Sequence, residues 1–321
     1  MIFSTHPLHP QVTQALAAIG DFRIASAPTP DAILVESGAA AIIVVRAPIP
    51  EQVLVRAPGL RALIRHGAGL DMVPLAAATA AGVLVANVPG ANAVTVAEHV
   101  IWTALALLRR YPEVDRDLRG AGWAAARAHA DHGRDLSGRV IGILGMGNIG
   151  QAIARIAGAG FGMTVLCHTR SPSRVPSGVV AVSLPDLLAQ SDIVALCAPL
   201  TPDTRGIIDA AALARMKPGA VLVNVARGPL VDEAALIDAL RRGQLAGAAI
   251  DVFDTQPLPQ GHALLSLPNL ILTPHLAGVT EDSMLRMGQG VVAAVRQVLA
   301  GGLPDHLVND AAVPVYRKRF G

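Results

Sequence analysis

The segment Gly145–Gly150 reads Gly-Met-Gly-Asn-Ile-Gly, and its glycine spacing suits the binding of a dinucleotide. It follows an apolar run, Val140–Leu144, and opens a helical stretch over residues 149–159. In that context the glycines provide a tight turn, a close approach of the backbone to a pyrophosphate, and close packing of helix on strand. The helix N-terminus presents free N–H groups to the phosphates. The predicted contacts are Gly145, Gly147, Asn148, Ile149 and Gly150.

The end of the following strand indicates which dinucleotide is bound. A carboxylate about 20 residues after the glycines usually accepts a hydrogen bond from the ribose 2′-OH of NAD. No Asp or Glu occurs between Asp135 and Asp186, and arginines follow the strand instead. Guanidinium groups favour an added 2′-phosphate, so we predict NADPH in preference to NADH. The alternative is that these arginines are solvated loop residues. The predicted contacts are Thr169, Arg170, Ser171 and Arg174.

These residues need a scaffold of strands, and the sequence supplies short apolar runs alternating with Ala- and Leu-rich stretches. Most of the runs are continuous rather than alternating, which is typical of parallel strands covered on both faces. Helices separate most of them, so the predicted class is α/β and doubly wound. The predicted strands are Arg23–Ala25, Ala41–Val45, Ala62–Ile64, Val83–Ala86, Val140–Leu144, Thr164–Cys167, Ile193–Leu196, Val221–Val225, Ala248–Ile250 and Leu270–Leu272.

Two long helices divide this pattern into two parts. One is predicted over Ala93–Arg110, ending before Pro112, and the other over Glu281–Ala300, between an acidic start and Gly301-Gly302. A chain of 321 residues is also long enough for about two domains. We predict one domain of residues 1–96 with 285–321, and a second of residues 97–284.

Composition limits the possible partners. The chain is 52% hydrophobic and 16% charged with a net charge of +2, which excludes disorder and gives no reason to expect nucleic acid or an anionic membrane. No apolar run reaches the roughly 18 residues that span a bilayer. Cys167 and Cys197 lie in apolar stretches, as reduced thiols of a cytoplasmic protein would. No His, Cys and Asp cluster has metal-ligand spacing, so we expect no metal.

Five segments together resemble the D-isomer-specific 2-hydroxyacid dehydrogenases, and they occur in that family's order through nearly the whole chain. Glyoxylate and hydroxypyruvate reductases of this family are similar in character because they often use NADPH. The segments are Arg65–Asp71, Gly145–Gly150, Pro199–Gly206, Val223–Asp232 and Leu272–His275.

The resemblance implies a Rossmann dinucleotide-binding domain at residues 97–284 and a flavodoxin-like substrate domain built from both termini. It implies an active site in the cleft between the domains and a homodimer with the helix near Glu98–Arg110 at its interface. It also implies further cofactor contacts, at Pro199, Thr204, Val225, Ala226, Asp251, Ala277 and Gly278.

Reduction of a 2-keto acid needs a hydride donor, a proton donor and a cation that holds the substrate. The resemblance makes His275 the general acid and Arg227 the substrate clamp, and each lies just past the carboxyl end of a predicted strand. The backbone N–H groups of Gly67, Ala68 and Gly69 are predicted to receive the carboxylate. Arg46, after the run Ile42–Val45, is a candidate for the far end of the substrate.

One position departs from the family pattern. Gln256 stands where the family usually has a Glu that hydrogen-bonds the catalytic His. Gln can orient the imidazole but cannot stabilise imidazolium by charge, so we expect an acid-shifted pH profile. Asp254 is a candidate for the missing charge. The His–Gln pair also resembles formate dehydrogenase, which is one alternative. A dinucleotide-sensing binding protein with weak catalysis is another, although His275 and Arg227 argue against it.

Overall fold

The computed structural model describes all 321 residues. It divides into two compact units: residues 1–92 with 279–321, here the first unit, and residues 93–278, here the second unit. These boundaries fall a few residues before the predicted divisions at 96/97 and 284/285. No helix is both long enough and apolar enough to cross a bilayer.

Twelve strands, all in parallel pairs, make up two sheets. The strands are β1 (Ile2–Ser4), β2 (Phe22–Ile24), β3 (Ile42–Val45), β4 (Ala62–Arg65), β5 (Leu84–Ala86), β6 (Val140–Leu144), β7 (Thr164–His168), β8 (Val179–Ala181), β9 (Ile193–Leu196), β10 (Ala220–Asn224), β11 (Leu245–Ile250) and β12 (Leu270–Leu272). The helices are α1 (Pro10–Ala17), α2 (Pro30–Glu36), α3 (Gln52–Arg56), α4 (Leu75–Ala80), α5 (Ala93–Leu108), α6 (Tyr111–Gly120), α7 (Trp123–Arg127), α8 (Asn148–Arg155), α9 (Leu184–Gln190), α10 (Ala210–Arg215), α11 (Glu233–Arg241), α12 (Glu281–Leu299) and α13 (Val313–Phe320).

The two sheets have the strand orders of two doubly wound folds. The first unit carries five strands in the order β2-β1-β3-β4-β5, which is the flavodoxin-like order. The second unit carries seven strands in the order β8-β7-β6-β9-β10-β11-β12, the Rossmann order extended by one strand. The predicted α/β class with two parallel sheets is confirmed.

Burial on both sheet faces explains the continuous apolar runs. In β10, Val221 and Val223 belong to the core on one face of the sheet, while Leu222 belongs to the core on the other. In β3, residues Ile42 and Ile43 divide in the same way between two cores. Because neighbouring side chains of a strand point to opposite faces, every position of such a strand must be apolar.

The helix α12 brings the C-terminal segment onto the first unit's sheet. Thr280 and Ser283 form a capping box at its start, and Glu281 and Asp282 lie in its first turn, where carboxylates favour the helix dipole. Its buried valines, such as Val291 and Val295, belong to the same core as β1 and β3. The terminal residues therefore complete the fold of the first unit.

Sequence patterns missed two strands and misjudged one helix end. The missed strands are β1, which lies between β2 and β3 in the first sheet, and β8, which is the edge strand of the second sheet. α5 ends at Leu108 rather than Arg110, since Arg110 adopts a left-handed conformation with φ 54°. The helix predicted over 149–159 is α8 followed by a π-helical turn at Ile156–Gly160.

Candidate active site

The three glycines of the turn after β6 serve two purposes: two of them allow close packing, and one leaves space that a ligand can occupy. A Cβ at Gly150 would lie 2.2 Å from the Gly145 carbonyl oxygen, and a Cβ at Gly145 would lie 2.8 Å from the Ala198 nitrogen. Close packing therefore requires both of these glycines, and Gly145 also has φ +99°. A Cβ at Gly147 would meet no protein atom within 4 Å. The open space there suits the approach of a pyrophosphate to the backbone.

The helix α8 begins directly after this open space. Gly147 is its N-cap, and Asn148, Ile149 and Gly150 form its first turn. The first N–H groups of a helix have no acceptor within the helix, so they can bind phosphate oxygens. The predicted phosphate contacts at Gly147, Asn148, Ile149 and Gly150 are therefore consecutive residues at the start of one helix, a position that suits phosphate binding.

The residues after β7 present two arginines and one competing carboxylate. Thr169 accepts a hydrogen bond at Oγ1 from the Ser171 backbone N–H at 3.1 Å, which shapes the turn. Arg170 Nη1 lies 3.7 Å from Asp203 Oδ2, and both side chains are largely exposed. Arg174 ends a short 3₁₀ turn and is exposed. The guanidinium expected to bind a 2′-phosphate thus already has an anionic neighbour.

The loop after β9 is held by one buried hydroxyl. Thr204 Oγ1 donates to the Pro199 carbonyl oxygen at 2.8 Å and accepts from the Thr201 backbone N–H at 2.8 Å. Thr204 is 7% exposed. Its hydroxyl therefore fixes the loop that begins at Pro199.

A turn built by an asparagine positions Arg227 after β10. Asn224 accepts at Oδ1 from the Ala226 backbone N–H at 3.1 Å and donates from Nδ2 to the Arg227 carbonyl oxygen at 2.9 Å. Val225 and Ala226 are buried, whereas Arg227 is half-buried. A Cβ at Gly228 would lie 2.2 Å from the Phe253 backbone, so only glycine lets the loop at 253–256 pass so closely.

Asp251 holds the loop that carries His275. Its Oδ1 accepts from the Thr273 hydroxyl at 2.7 Å and from the Leu276 backbone N–H at 2.8 Å, and both carboxylate oxygens accept from the Ala277 N–H. The His275 N–H donates to the Asp251 carbonyl oxygen at 2.8 Å. His275 has φ 54°, a left-handed conformation that this network sustains. The structure thus shows Asp251, predicted as a cofactor contact, as the anchor of the His275 loop, which continues through Ala277 to Gly278.

Gln256 is the hydrogen-bond partner of the His275 ring. Its Oε1 lies 3.2 Å from His275 Nδ1, and its Nε2 donates to the Phe253 carbonyl oxygen at 3.3 Å. Because the amide oxygen can only accept, Nδ1 carries a proton and Nε2 is the nitrogen that exchanges protons. Asp254 is exposed. The arrangement fixes the imidazole tautomer without placing a negative charge on the ring.

The first unit carries the loop Gly67–Gly69 after β4. Some of the loop's backbone N–H and carbonyl groups form hydrogen bonds within the protein, and others do not. The Gly67 N–H, one of the three predicted carboxylate donors, donates to the Arg65 carbonyl oxygen at 3.0 Å. The Ala68 carbonyl oxygen accepts from Asn87 Nδ2 at 2.8 Å, and the Gly67 carbonyl oxygen accepts from the Val88 N–H at 2.9 Å. The candidate carboxylate donors are therefore the N–H groups of Ala68 and Gly69.

Two further basic side chains lie near this loop in the first unit. The Arg46 N–H donates to Thr5 Oγ1 at 2.8 Å, and its Nη1 donates to the Pro7 carbonyl oxygen. Burial lowers the pKa of Arg46, but a guanidinium stays charged at neutral pH. Burial and the charge of Arg46 lower the pKa of His66 to about 4, so this ring is neutral near pH 7. The positive charge near the loop therefore comes from arginine.

Known proteins share this arrangement of sheets and sequence segments. The profile of the D-isomer specific 2-hydroxyacid dehydrogenase NAD-binding domain matches residues 101–277. A glyoxylate reductase of Korarchaeum cryptofilum is 39% identical over 272 residues, covering 84% of this chain and 82% of that protein. The chain belongs to the D-isomer specific 2-hydroxyacid dehydrogenase family. The expected resemblance is confirmed.

Two other proteins of the family are similar to this chain, one by sequence and one by structure as well. D-3-phosphoglycerate dehydrogenase of Mycobacterium tuberculosis is 40% identical over 292 residues, which cover 90% of this chain but 53% of that protein. The chain therefore spans about half the length of that relative. The structure of an NADPH-dependent glyoxylate/hydroxypyruvate reductase from Sinorhizobium meliloti, in complex with NADP and malonate, has a TM-score of 0.84 and 32% identity. The match covers 98% of this chain and 97% of that one.

Sequence reasoning missed four residues that shape the site of this 2-hydroxyacid dehydrogenase family member. They are Arg65, Asn224, Gly228 and Thr273, and each acts on backbone or on a neighbouring side chain. Asn224 had a usable signal, because Asn at a strand end often accepts from the N–H two residues later. Gly228 and Thr273 act through contacts between segments more than twenty positions apart, which no local pattern reveals. Arg65 combines two contacts within its own loop with one to Val45 on the neighbouring strand.

Proposed function

We propose that this protein reduces a small 2-keto acid of the glyoxylate or hydroxypyruvate type to the D-2-hydroxy acid, with NADPH preferred to NADH. The hydrogen bond between His275 Nδ1 and Gln256 Oε1 carries the proposal. It fixes an imidazole at the carboxyl edge of the second unit's sheet, where Arg227 and the glycine turn also lie. Ligands of open parallel sheets bind at that edge.

Each residue has one task in this reaction. As imidazolium, His275 donates the Nε2 proton to the carbonyl oxygen of the substrate as that oxygen gains negative charge. Arg227 binds the substrate and polarises its carbonyl. The N–H groups of Ala68 and Gly69 bind the carboxylate, which gives the first unit the role of substrate domain. The nicotinamide cofactor, when bound, supplies the hydride.

The cofactor preference rests on charge. Arg170 and Arg174 follow β7, and no carboxylate lies on that strand or the turn after it. A guanidinium binds a 2′-phosphate by charge-assisted hydrogen bonds, whereas a ribose 2′-OH gains little from it. The Sinorhizobium reductase, described as NADPH-dependent, supports the same preference. Arg46 is proposed to contact the far end of the substrate.

A formate dehydrogenase-like reaction is the second candidate, and Gln256 is the observation that favours it. Oxidation of formate needs no proton donor, so an uncharged partner for His275 would suffice there. A dinucleotide-binding protein without efficient turnover would use the glycine turn but not the His275 loop. The homodimer also remains a proposal, and sedimentation velocity of the purified chain tests it.

Steady-state oxidation of NADPH and NADH against glyoxylate, hydroxypyruvate, pyruvate and larger 2-keto acids tests the proposal. We expect saturable turnover, with kcat/KM larger for NADPH than for NADH. Parallel assays offer formate or D-3-phosphoglycerate with NAD and NADP. Turnover of formate alone would favour the second candidate. Cofactor binding without turnover of any acid would favour the binding protein.

A further inference from the structure

Arg65 directs its guanidinium group onto the loop that follows it. Its Nε donates to the Gly69 carbonyl oxygen at 3.0 Å, and its Nη1 donates to the carbonyl oxygens of His66 and, at 3.1 Å, Val45. The guanidinium atoms lie 3.5 Å from the position of a Cβ on Gly67. The half-buried Arg65 side chain thus binds the carbonyl groups of His66 and Gly69, on either side of Gly67 and Ala68. It also binds the carbonyl group of Val45, at the end of the neighbouring strand β3.

The loop's carbonyl groups are all occupied by donors of the protein. Arg65 takes those of His66 and Gly69, while Val88 N–H and Asn87 Nδ2 take the two between them. The N–H groups of Ala68 and Gly69 donate to no acceptor in the chain. Because its carbonyl groups accept hydrogen bonds from the protein, the loop offers two N–H donors and no carbonyl acceptor to a ligand. This arrangement suits an anion.

We propose that Arg65 is a positioning residue for binding of the substrate carboxylate. Its fork of donors holds the His66 and Gly69 carbonyls, so the Ala68 and Gly69 N–H groups stay aimed at the carboxylate. Its positive charge behind the loop adds to the attraction. A lysine offers no such planar fork and would hold fewer of these carbonyls. This inference rests on the proposed function, because it assumes that the loop binds a carboxylate.

Arg61 provides a matched control. It precedes β4, whereas Arg65 ends that strand, and both side chains are half-buried. The Arg61 guanidinium lies 5.3 Å from the centroid of the Phe320 ring, so it packs away from the loop. Arg65→Met and Arg61→Met therefore each remove one arginine charge from the first unit, but only Arg65→Met also removes contacts with the loop.

The test compares Arg65→Met, Arg65→Lys, Arg65→Ala and Arg61→Met with the wild type. We expect Arg65→Met to raise KM for the keto acid about tenfold, as loss of one hydrogen bond to a charged group would. KM for NADPH should stay within twofold, and Arg65→Lys should give an intermediate value. Guanidinium ion added to Arg65→Ala should restore part of the affinity for the keto acid. Arg61→Met should match the wild type.

Calorimetric titration with oxalate tests the same inference without turnover. Oxalate has the carboxylate but no reducible ketone, so its affinity reports on the loop even if the proposed reaction is wrong. We expect Arg65→Met to bind oxalate about tenfold more weakly than the wild type. Equal oxalate affinity in the two proteins, or no binding by the wild type, would overturn the inference. An equal rise of KM for both substrates, without rescue by guanidinium, would also overturn it.

Discussion

Replacing Gln256 by Glu adds a charge to a side chain that hydrogen-bonds the His275 ring. The existing contact joins Nδ1 and Oε1 at 3.2 Å, so a carboxylate of the same length can occupy the same place. Opposite unit charges about 4 Å apart interact by about 1 kcal/mol in water. Both side chains are exposed in the second unit, so the water value is the relevant one. An interaction of this size corresponds to a shift of about one pH unit.

The sign follows from which form of His275 is active. Ketone reduction uses the imidazolium, so kcat/KM for the keto acid falls as pH rises past the pKa of His275. A carboxylate at Nδ1 favours the imidazolium and raises that pKa. In Gln256→Glu the alkaline limb of the reductive profile should therefore move upward by about one pH unit.

The assay is kcat/KM for the keto acid across the pH range, measured for the wild type, Gln256→Glu and Asp254→Asn. Asp254→Asn is the control, because it removes an exposed charge close by in the same loop and should leave the limb in place. Coincident profiles of the wild type and Gln256→Glu would refute the reasoning. A downward shift of the limb in Asp254→Asn would identify Asp254 as the charge that acts on the ring.

Three further predictions concern the turn, the cofactor and the buried histidine. Gly147→Ala should weaken NADPH binding with little loss of stability, whereas Gly150→Ala should unfold more easily because its Cβ would clash at 2.2 Å. Arg170→Ala should lower kcat/KM for NADPH about tenfold and leave NADH almost unchanged, and Asp203→Asn should raise kcat/KM for NADPH a few-fold. Since the pKa of His66 is about 4 in the folded chain and 6.5 as its ordinary value, the unfolded state takes up the proton first as pH falls below 6.5. Between pH 6.5 and 4 the protein should lose about 3 kcal/mol of stability from this group.

For each of these three predictions, one experimental result would contradict it. Thermal unfolding and cofactor titration separate the two glycine variants, and equal losses of stability would contradict the role of open space at Gly147. An equal effect of Arg170→Ala on both cofactors would contradict a 2′-phosphate contact. Urea unfolding of the wild type and His66→Leu at pH 7 and pH 4.5 tests the histidine. The same pH dependence in both proteins would show that His66 is not responsible.

Local sequence patterns predicted the parts of this protein that depend on local physics. The glycine turn was predictable because its spacing, its preceding strand and its following helix are all contiguous. All strands of the second unit except β8 were predictable, because burial on both faces demands continuous apolar residues, as in β6 and β9. β1 was missed, because its two apolar residues, Ile2 and Phe3, are followed directly by the polar Ser4 and Thr5.

The roles of polar residues at the site were harder to predict because they depend on contacts across the chain. Asp251 anchors the His275 loop through residues more than twenty positions away. Arg65 reaches Val45, twenty positions away at the end of β3, as well as its own loop. Gly228 is required by the approach of the Phe253 backbone, which only the folded chain brings near. The partner of His275, in contrast, was predictable from the family pattern.

The central claim is that His275 protonates a 2-keto acid during NADPH-dependent reduction. The most direct measurement is kcat for glyoxylate or hydroxypyruvate reduction with NADPH, in the wild type and in His275→Gln. The account predicts saturable turnover by the wild type and a kcat lower by about 10² to 10⁴ in the variant, with NADPH affinity unchanged. Equal kcat values in the two proteins, or no turnover of any 2-keto acid by the wild type, would contradict it.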